Sequence, residues 1–230
     1  MKRLHFLVEG PTEKEFVDNL LQDHFIQFGV ICDARLITSS RDWSSGKFYK
    51  GGIVSYGKLR YEIVEAIRND HGENSFFTTF LDYYGLPQDF PRTTVTGPTN
   101  PKALVTSIEG ALSSDIQNSL PSVNIAKQFI PNIICHEFEA LVLADVMKLE
   151  SVYIEHHQEL QQLAIQVEQI GDPELVNSGI ETAPSKRIIK LIPEYDKATA
   201  GPLAALEIGL PTLRKRCAHF NDWVTRLEAL

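Results

Sequence analysis

Three short apolar runs in this chain each end on a carboxylate, and that pattern limits the fold more than any other feature. Leu4-His5-Phe6-Leu7-Val8 stops at Glu9, and Phe76-Phe77-Thr78-Thr79-Phe80-Leu81 stops at Asp82. Phe129-Ile130-Pro131-Asn132-Ile133-Ile134-Cys135 leads into His136-Glu137-Phe138-Glu139. Apolar and β-branched runs of this length read as strands, and helical stretches lie between them. Strands alternating with helices build βαβ units and a parallel sheet. In such a sheet all carboxyl ends emerge at one edge, where open α/β folds bind their ligands. If the three strands are neighbours, Glu9, Asp82, Glu137 and Glu139 share that edge.

The first unit is a strand, a Gly10-Pro11 turn and a helix. Thr12 with Glu15 fits a capping box, so a helix is predicted from Thr12 to Phe28, ended by Gly29. Val30 to Ile37 reads as a second strand. Residues 38–55 carry Ser, Gly and Lys without periodicity, a candidate loop over the site. Tyr56 to Asp70 is helical, and Asn100-Pro101 starts another helix that should run to about Ser113. Pro131 demotes only the start of its strand. Helices are expected at 140–149, 156–169, 185–192 and 202–227, the last broken near Pro211. The predicted organisation is an α/β core over 1–150, an open and mainly parallel sheet flanked by helices. A helical C-terminal layer over 151–230 packs on it, within a single globular unit.

The 230 residues, 43% hydrophobic and 23% charged, supply a full core. No apolar run approaches the ~18–20 residues of a membrane span, and Met1-Lys2-Arg3 is not followed by a long apolar segment, so neither membrane association nor a signal peptide is expected. Three widely spaced cysteines without a CxxC argue against a disulfide framework and a zinc knuckle. A reducing cytoplasm is the expected compartment. The formal net charge of −8 makes the chain a poor autonomous binder of nucleic acid unless its cations are clustered.

Several motifs carry a resemblance. Val8-Glu9-Gly10-x-Thr12-Glu13 is similar to the opening motif of Toprim domains, in the version found in OLD-family nuclease-like proteins. Leu81-Asp82-Tyr83-Tyr84-Gly85-Leu86-Pro87, His136-Glu137-Phe138-Glu139-Ala140 and Pro184-Ser185-Lys186-Arg187 resemble the recurring pieces of a bacterial Toprim-like family of unknown function. The resemblance implies a Toprim-like sheet, with Glu9 as the acid near a reacting phosphate and Asp82 as a metal ligand. It makes His136, Glu137 and Glu139 the family's own motif, and it implies an ATPase partner encoded separately. The chain departs from the Toprim pattern at Asp82-Tyr83-Tyr84, where the second Asp of Asp-x-Asp is absent. Either Glu137 or Glu139 takes its place, or metal binding is weakened or lost.

Carboxylates crowded at one edge need a cation to stay ionised together, and hard oxygen donors select Mg²⁺ or Mn²⁺. Glu9, Asp82, Glu137 and Glu139 are therefore the metal-ligand candidates, and Glu9, Asp82 and Lys186 the catalytic ones. Ser185, Lys186 and Arg187 open a helix and could hold a phosphate. Lys47 and Lys58, with Arg41, Lys50 and Arg60, form a candidate basic rim. Two functions follow. One is a metal-dependent phosphotransfer enzyme, a nuclease of bacterial anti-phage defence. The other is a degenerate Toprim-like module that binds nucleic acid, nucleotide or a partner protein without cutting.

Overall fold

The computed structural model describes residues 1–37, 40–41, 48–49, 53, 55–70, 72–92, 100–176 and 182–230. Strand β1 (Lys2–Val8) runs into α1 (Pro11–Phe16), a π-turn (Val17–Leu21) and α2 (Gln22–Ile26). Strand β2 (Val30–Leu36) follows, then a two-residue antiparallel pair, β3 (Ser40–Arg41) with β4 (Phe48–Tyr49). Helix α3 (Tyr56–Asn69), strand β5 (Ser75–Asp82) and helix α4 (Pro101–Ser119) complete the first half. Next come α5 (Ile125–Gln128), β6 (Phe129–Ile130), β7 (Ile133–Ile134) and α6 (Glu139–Val142). A 3₁₀ stretch (Leu143–Ser151) leads to α7 (His157–Ile170), α8 (Pro184–Leu191), α9 (Lys197–Ile208), α10 (Leu210–Arg216) and α11 (Ala218–Glu228).

The main sheet has the order β2-β1-β5-β6, with β7 continuing beside β5, and every pairing in it is parallel. This is the open, helix-flanked parallel sheet expected from the strand–helix alternation. Its central strand β5 is buried on both faces except at Asp82, as parallel strands covered by helices must be. One face packs Leu4, Phe6, Val8, Phe76 and Phe80 against α1, α9 and α11. The other packs Leu7, Phe77 and Leu81 against α3 and α4. Trp223 of α11 stacks on Phe80 at 5.0 Å, and its indole N–H donates to Thr78 Oγ1 at 2.8 Å. The C-terminal helices thus share one core with the sheet. Among the described residues no helix is long and apolar enough to cross a membrane. All three cysteines are buried and free.

Local details differ from the sequence reading for identifiable reasons. Helix α1 starts at Pro11 with Gly10 as its N-cap and no side-chain cap, so Thr12 and Glu15 form no capping box. Pro11 takes the N1 place, where a missing N–H costs nothing. Helix α4 continues to Ser119, past the expected end, because Ile116 remains buried along its face. The third run is split into β6 and β7 at Pro131-Asn132. Thr79 Oγ1 fills the gap, donating to Asn132 O and accepting from Asn132 N–H, both at 3.0 Å. The last helical stretch begins at Lys197 and breaks at Gly209 (φ 74°) and again at Cys217, while Pro211 sits harmlessly in the first turn of α10. The loop reading for 38–55 lies largely outside the described residues.

Candidate functional site: a carboxylate cluster at the sheet edge

The three acid-terminated strands lie side by side. Val8 of β1 is in register with Phe80 of β5, and Leu81 and Asp82 pair with Ile133 and Ile134 of β7. Glu9 leaves β1 with its N–H donating to Phe80 O at 3.3 Å. Its side chain turns back across the edge, where Glu9 Oε2 accepts the Asp82 backbone N–H at 3.2 Å. Gly85 makes that turn possible. A Cβ at Gly85 would lie 2.4 and 2.5 Å from the two Glu9 oxygens, so only glycine leaves room for the carboxylate.

The third strand delivers its acids through a strained corner. His136 has φ 69°, the left-handed region that a residue with a Cβ enters at a cost of roughly 1–2 kcal/mol. Its carbonyl accepts the Tyr84 N–H at 2.9 Å, fastening the Tyr83–Gly85 turn to the neighbouring strand end. Phe138 anchors the corner from below, edge-on to Phe16 and Phe80. Glu137 Oε1 then accepts the buried Ser185 N–H at 2.7 Å, from the first turn of α8. Glu139 opens α6 and is almost fully buried.

Two further residues belong to this group. Glu13 lies one helical turn after Glu9, is buried, and comes within 3.0 Å of where a Cβ on Gly10 would stand. Lys197, at the start of α9, donates to Glu137 Oε2 at 2.9 Å and lies 3.6 Å from Glu139 Oε2. Glu13 belongs to the opening motif Val8-Glu9-Gly10-x-Thr12-Glu13, and that membership is its signal in the sequence. Lys197 had none, sixty residues beyond its partner.

The electrostatics follow from crowding. Burial, then repulsion from Glu13, Glu9, Glu139 and Glu137, drives the Asp82 carboxyl well above the usual carboxylate range. Burial and Glu9 push Glu13 up to about 7, against the pull of nearby backbone N–H groups. Burial raises Glu139 to about 7 as well, with Lys197 opposing it and Glu137 adding to it. Glu9 is raised by burial, an effect moderated by the Asp82 N–H. Lys197 responds in the opposite sense. Burial works against its charge, but Glu139 and Glu137 more than compensate and hold it protonated.

Asp82 Oδ1 is fully buried, and no hydrogen-bond partner meets it among the described residues. An unpaired buried carboxylate oxygen surrounded by other carboxylates is the kind of donor a hard divalent cation takes. Among the described residues, however, no three His, Cys, Asp or Glu side chains stand as a ready coordination shell. The acids are neighbours with Lys197 lodged among them.

Of the remaining sequence candidates, those among the described residues lie on α8 and α3, with Arg41 on β3. The Ser185 amide donates to a carboxylate, Glu137, in the place where a phosphate was expected. Lys186 is exposed on α8, and Arg187 Nε donates to Thr182 O at 2.9 Å. Lys58 is exposed in the first turn of α3, which covers the other sheet face. Lys47 and Lys50 lie outside the described residues.

Residues 8–228 match the family model described as Domain of unknown function (DUF4276). The chain belongs to this family. Its match takes in all the strand-end acids, Lys197 and the whole helical layer. Among solved structures, the C-terminal region of the Burkholderia pseudomallei OLD protein is similar at 15% identity over 99% of each chain, with a TM-score of 0.44. The corresponding region of the Xanthomonas campestris pv. campestris OLD protein is similar at 14% identity over 100% of this chain and 99% of that one, with a TM-score of 0.39. No curated protein matches.

Proposed function

We propose that this DUF4276 chain is a Mg²⁺- or Mn²⁺-dependent phosphodiester hydrolase. In this reading it is a cytoplasmic nuclease of bacterial anti-phage defence that works with a separately encoded ATPase. The observation that carries the hydrolase reading is Asp82, whose N–H aims the Glu9 carboxylate while its own buried Oδ1 meets no partner among the described residues. Glu9, Asp82 and Glu13 would hold the ion with Glu139 or Glu137, either of which would take the part of the second Asp that this chain does not carry. When bound, such an ion activates water and offsets charge on the scissile phosphate. The chain's own residues orient the acids: the Asp82 N–H fixes Glu9, the Ser185 N–H fixes Glu137, and Gly85 keeps the Glu9 position open. The defence setting and the ATPase rest on the motif resemblance alone.

One observation favours the alternative, a binding module that does not cut. Lys197 already neutralises part of the cluster through Glu137 and Glu139, as an internal cation does where a metal has been lost. A cleavage assay separates the two. The purified full chain is given single- and double-stranded DNA and RNA with Mn²⁺ or Mg²⁺, alone and with the ATPase. Metal-dependent cutting abolished by Glu9→Gln supports the hydrolase. No cutting under any condition, with equal thermal response of parent and variant to Mn²⁺, rejects it.

A further inference from the structure

Helix α8 presents a second face. While Pro184, Ser185 and Ile188 are buried and Ser185 serves Glu137, Lys186, Arg187 and Lys190 line a cavity of about 170 Å³. Gln166 of α7, Thr182 and Leu191 also line it. Among the described residues no carboxylate pairs with any of the three cations. Lys186 and Lys190 are four apart on one helix, a spacing at which like charges repel unless an anion joins them. The Arg187 guanidinium is oriented by its bond to Thr182 O, and a held guanidinium plane suits the oxygens of phosphate.

We propose that this cavity is a phosphate-monoester site. Its volume equals roughly five or six waters at about 30 Å³ each, enough for one phosphate with its ester arm and too small for a duplex. Three cations also match a monoester, which carries about −1.5 to −2 at neutral pH, better than a singly charged diester. The site adjoins the carboxylate cluster through consecutive residues, Ser185 facing Glu137 and Lys186 facing the cavity. The inference rests on the hydrolase reading only for the carrier of the phosphate, the end of a nucleic-acid strand whose inner linkages reach the acids. A free oligophosphate presents the same chemistry.

The test is binding by the full chain in metal-free buffer, so that cleavage plays no part. Single-stranded oligonucleotides with a 5′-phosphate, a 3′-phosphate or hydroxyls at both ends are compared, and inorganic pyrophosphate is tested by thermal shift. One phosphorylated end should bind about tenfold tighter than its hydroxyl twin, the factor expected of one charge-assisted hydrogen bond. The double substitution Lys186→Gln, Lys190→Gln, at two exposed positions, should remove that preference. A response to pyrophosphate alone, removed by the same substitutions, supports the site with a free oligophosphate as its ligand. Equal binding of all oligonucleotides with no pyrophosphate response overturns it, as do responses that survive both substitutions. If the preference appears but Mn²⁺ elicits no cutting, the cavity stands and the hydrolase reading fails by itself.

Discussion

The Asp82 backbone N–H donates to Glu9 Oε2 across the carboxyl edge of two adjacent parallel strands. That bond fixes one carboxylate directly beside another, and Asp82 Oδ1 is buried with no hydrogen-bond partner among the described residues. The cost of this crowding is the basis of each expectation for the cluster below.

Gly85 should tolerate no side chain. An alanine Cβ would meet the Glu9 oxygens at 2.4–2.5 Å and force the carboxylate from its place. Gly85→Ala should fold, by far-UV circular dichroism, yet lose the thermal response to Mn²⁺. Any cleavage should fall by ~10²-fold or more, since misplacing a reacting group by an ångström costs that much.

Glu9→Gln keeps the size of the side chain and removes its charge. Without metal it should unfold at the same temperature as the parent or higher, because one of several repelling carboxylates is gone. Mn²⁺ should raise the parent's midpoint more than the variant's. Cleavage should fall ~10²–10⁴-fold. A variant as responsive to Mn²⁺ as the parent would remove Glu9 from the ligand set.

Lys197→Met removes the internal cation. The Lys197 side chain is 46% exposed, so solvent screening limits the loss to about 1 kcal/mol despite two buried partners. For a chain of this length that lowers the metal-free midpoint by about 2–4 °C. Added Mn²⁺ should then stabilise the variant more than the parent, since the ion no longer competes with an ammonium. Calorimetry with and without Mn²⁺ checks both effects.

His219 supplies a pH dependence far from the sheet edge. Burial alone would lower its pKa, but the bond to Glu109 at 3.0 Å and the charges of Glu109 and Glu174 raise it instead. A raised histidine favours folding most below the unfolded value of ~6.5, and that contribution is lost as pH rises through the folded value. Urea stability should therefore decline as pH rises above the unfolded value of ~6.5, and His219→Gln should flatten the decline. Glu174, also facing His219, accepts N–H bonds from His219 and Phe220 and is common to both proteins.

The sequence by itself determined the layout of the sheet edge. Apolar runs of strand length, separated by helical periods, favour a parallel arrangement, and Glu9, Asp82, Glu137 and Glu139 sit where those runs end. Such information is local, carried by spacing and by the step from apolar to acidic residues. The tertiary structure alone decided which groups answer those acids. Lys197 and Ser185 reach Glu137 from helices some fifty to sixty residues further on, and Gly85 is needed only because Glu9 folds back over it. The same holds for the cation-lined cavity on α8, since the sequence shows that Lys186 and Lys190 are cations but not that they line one cavity. Charge compensation depends on distances between segments remote in the chain, and those distances exist only once the helical layer has packed on the sheet.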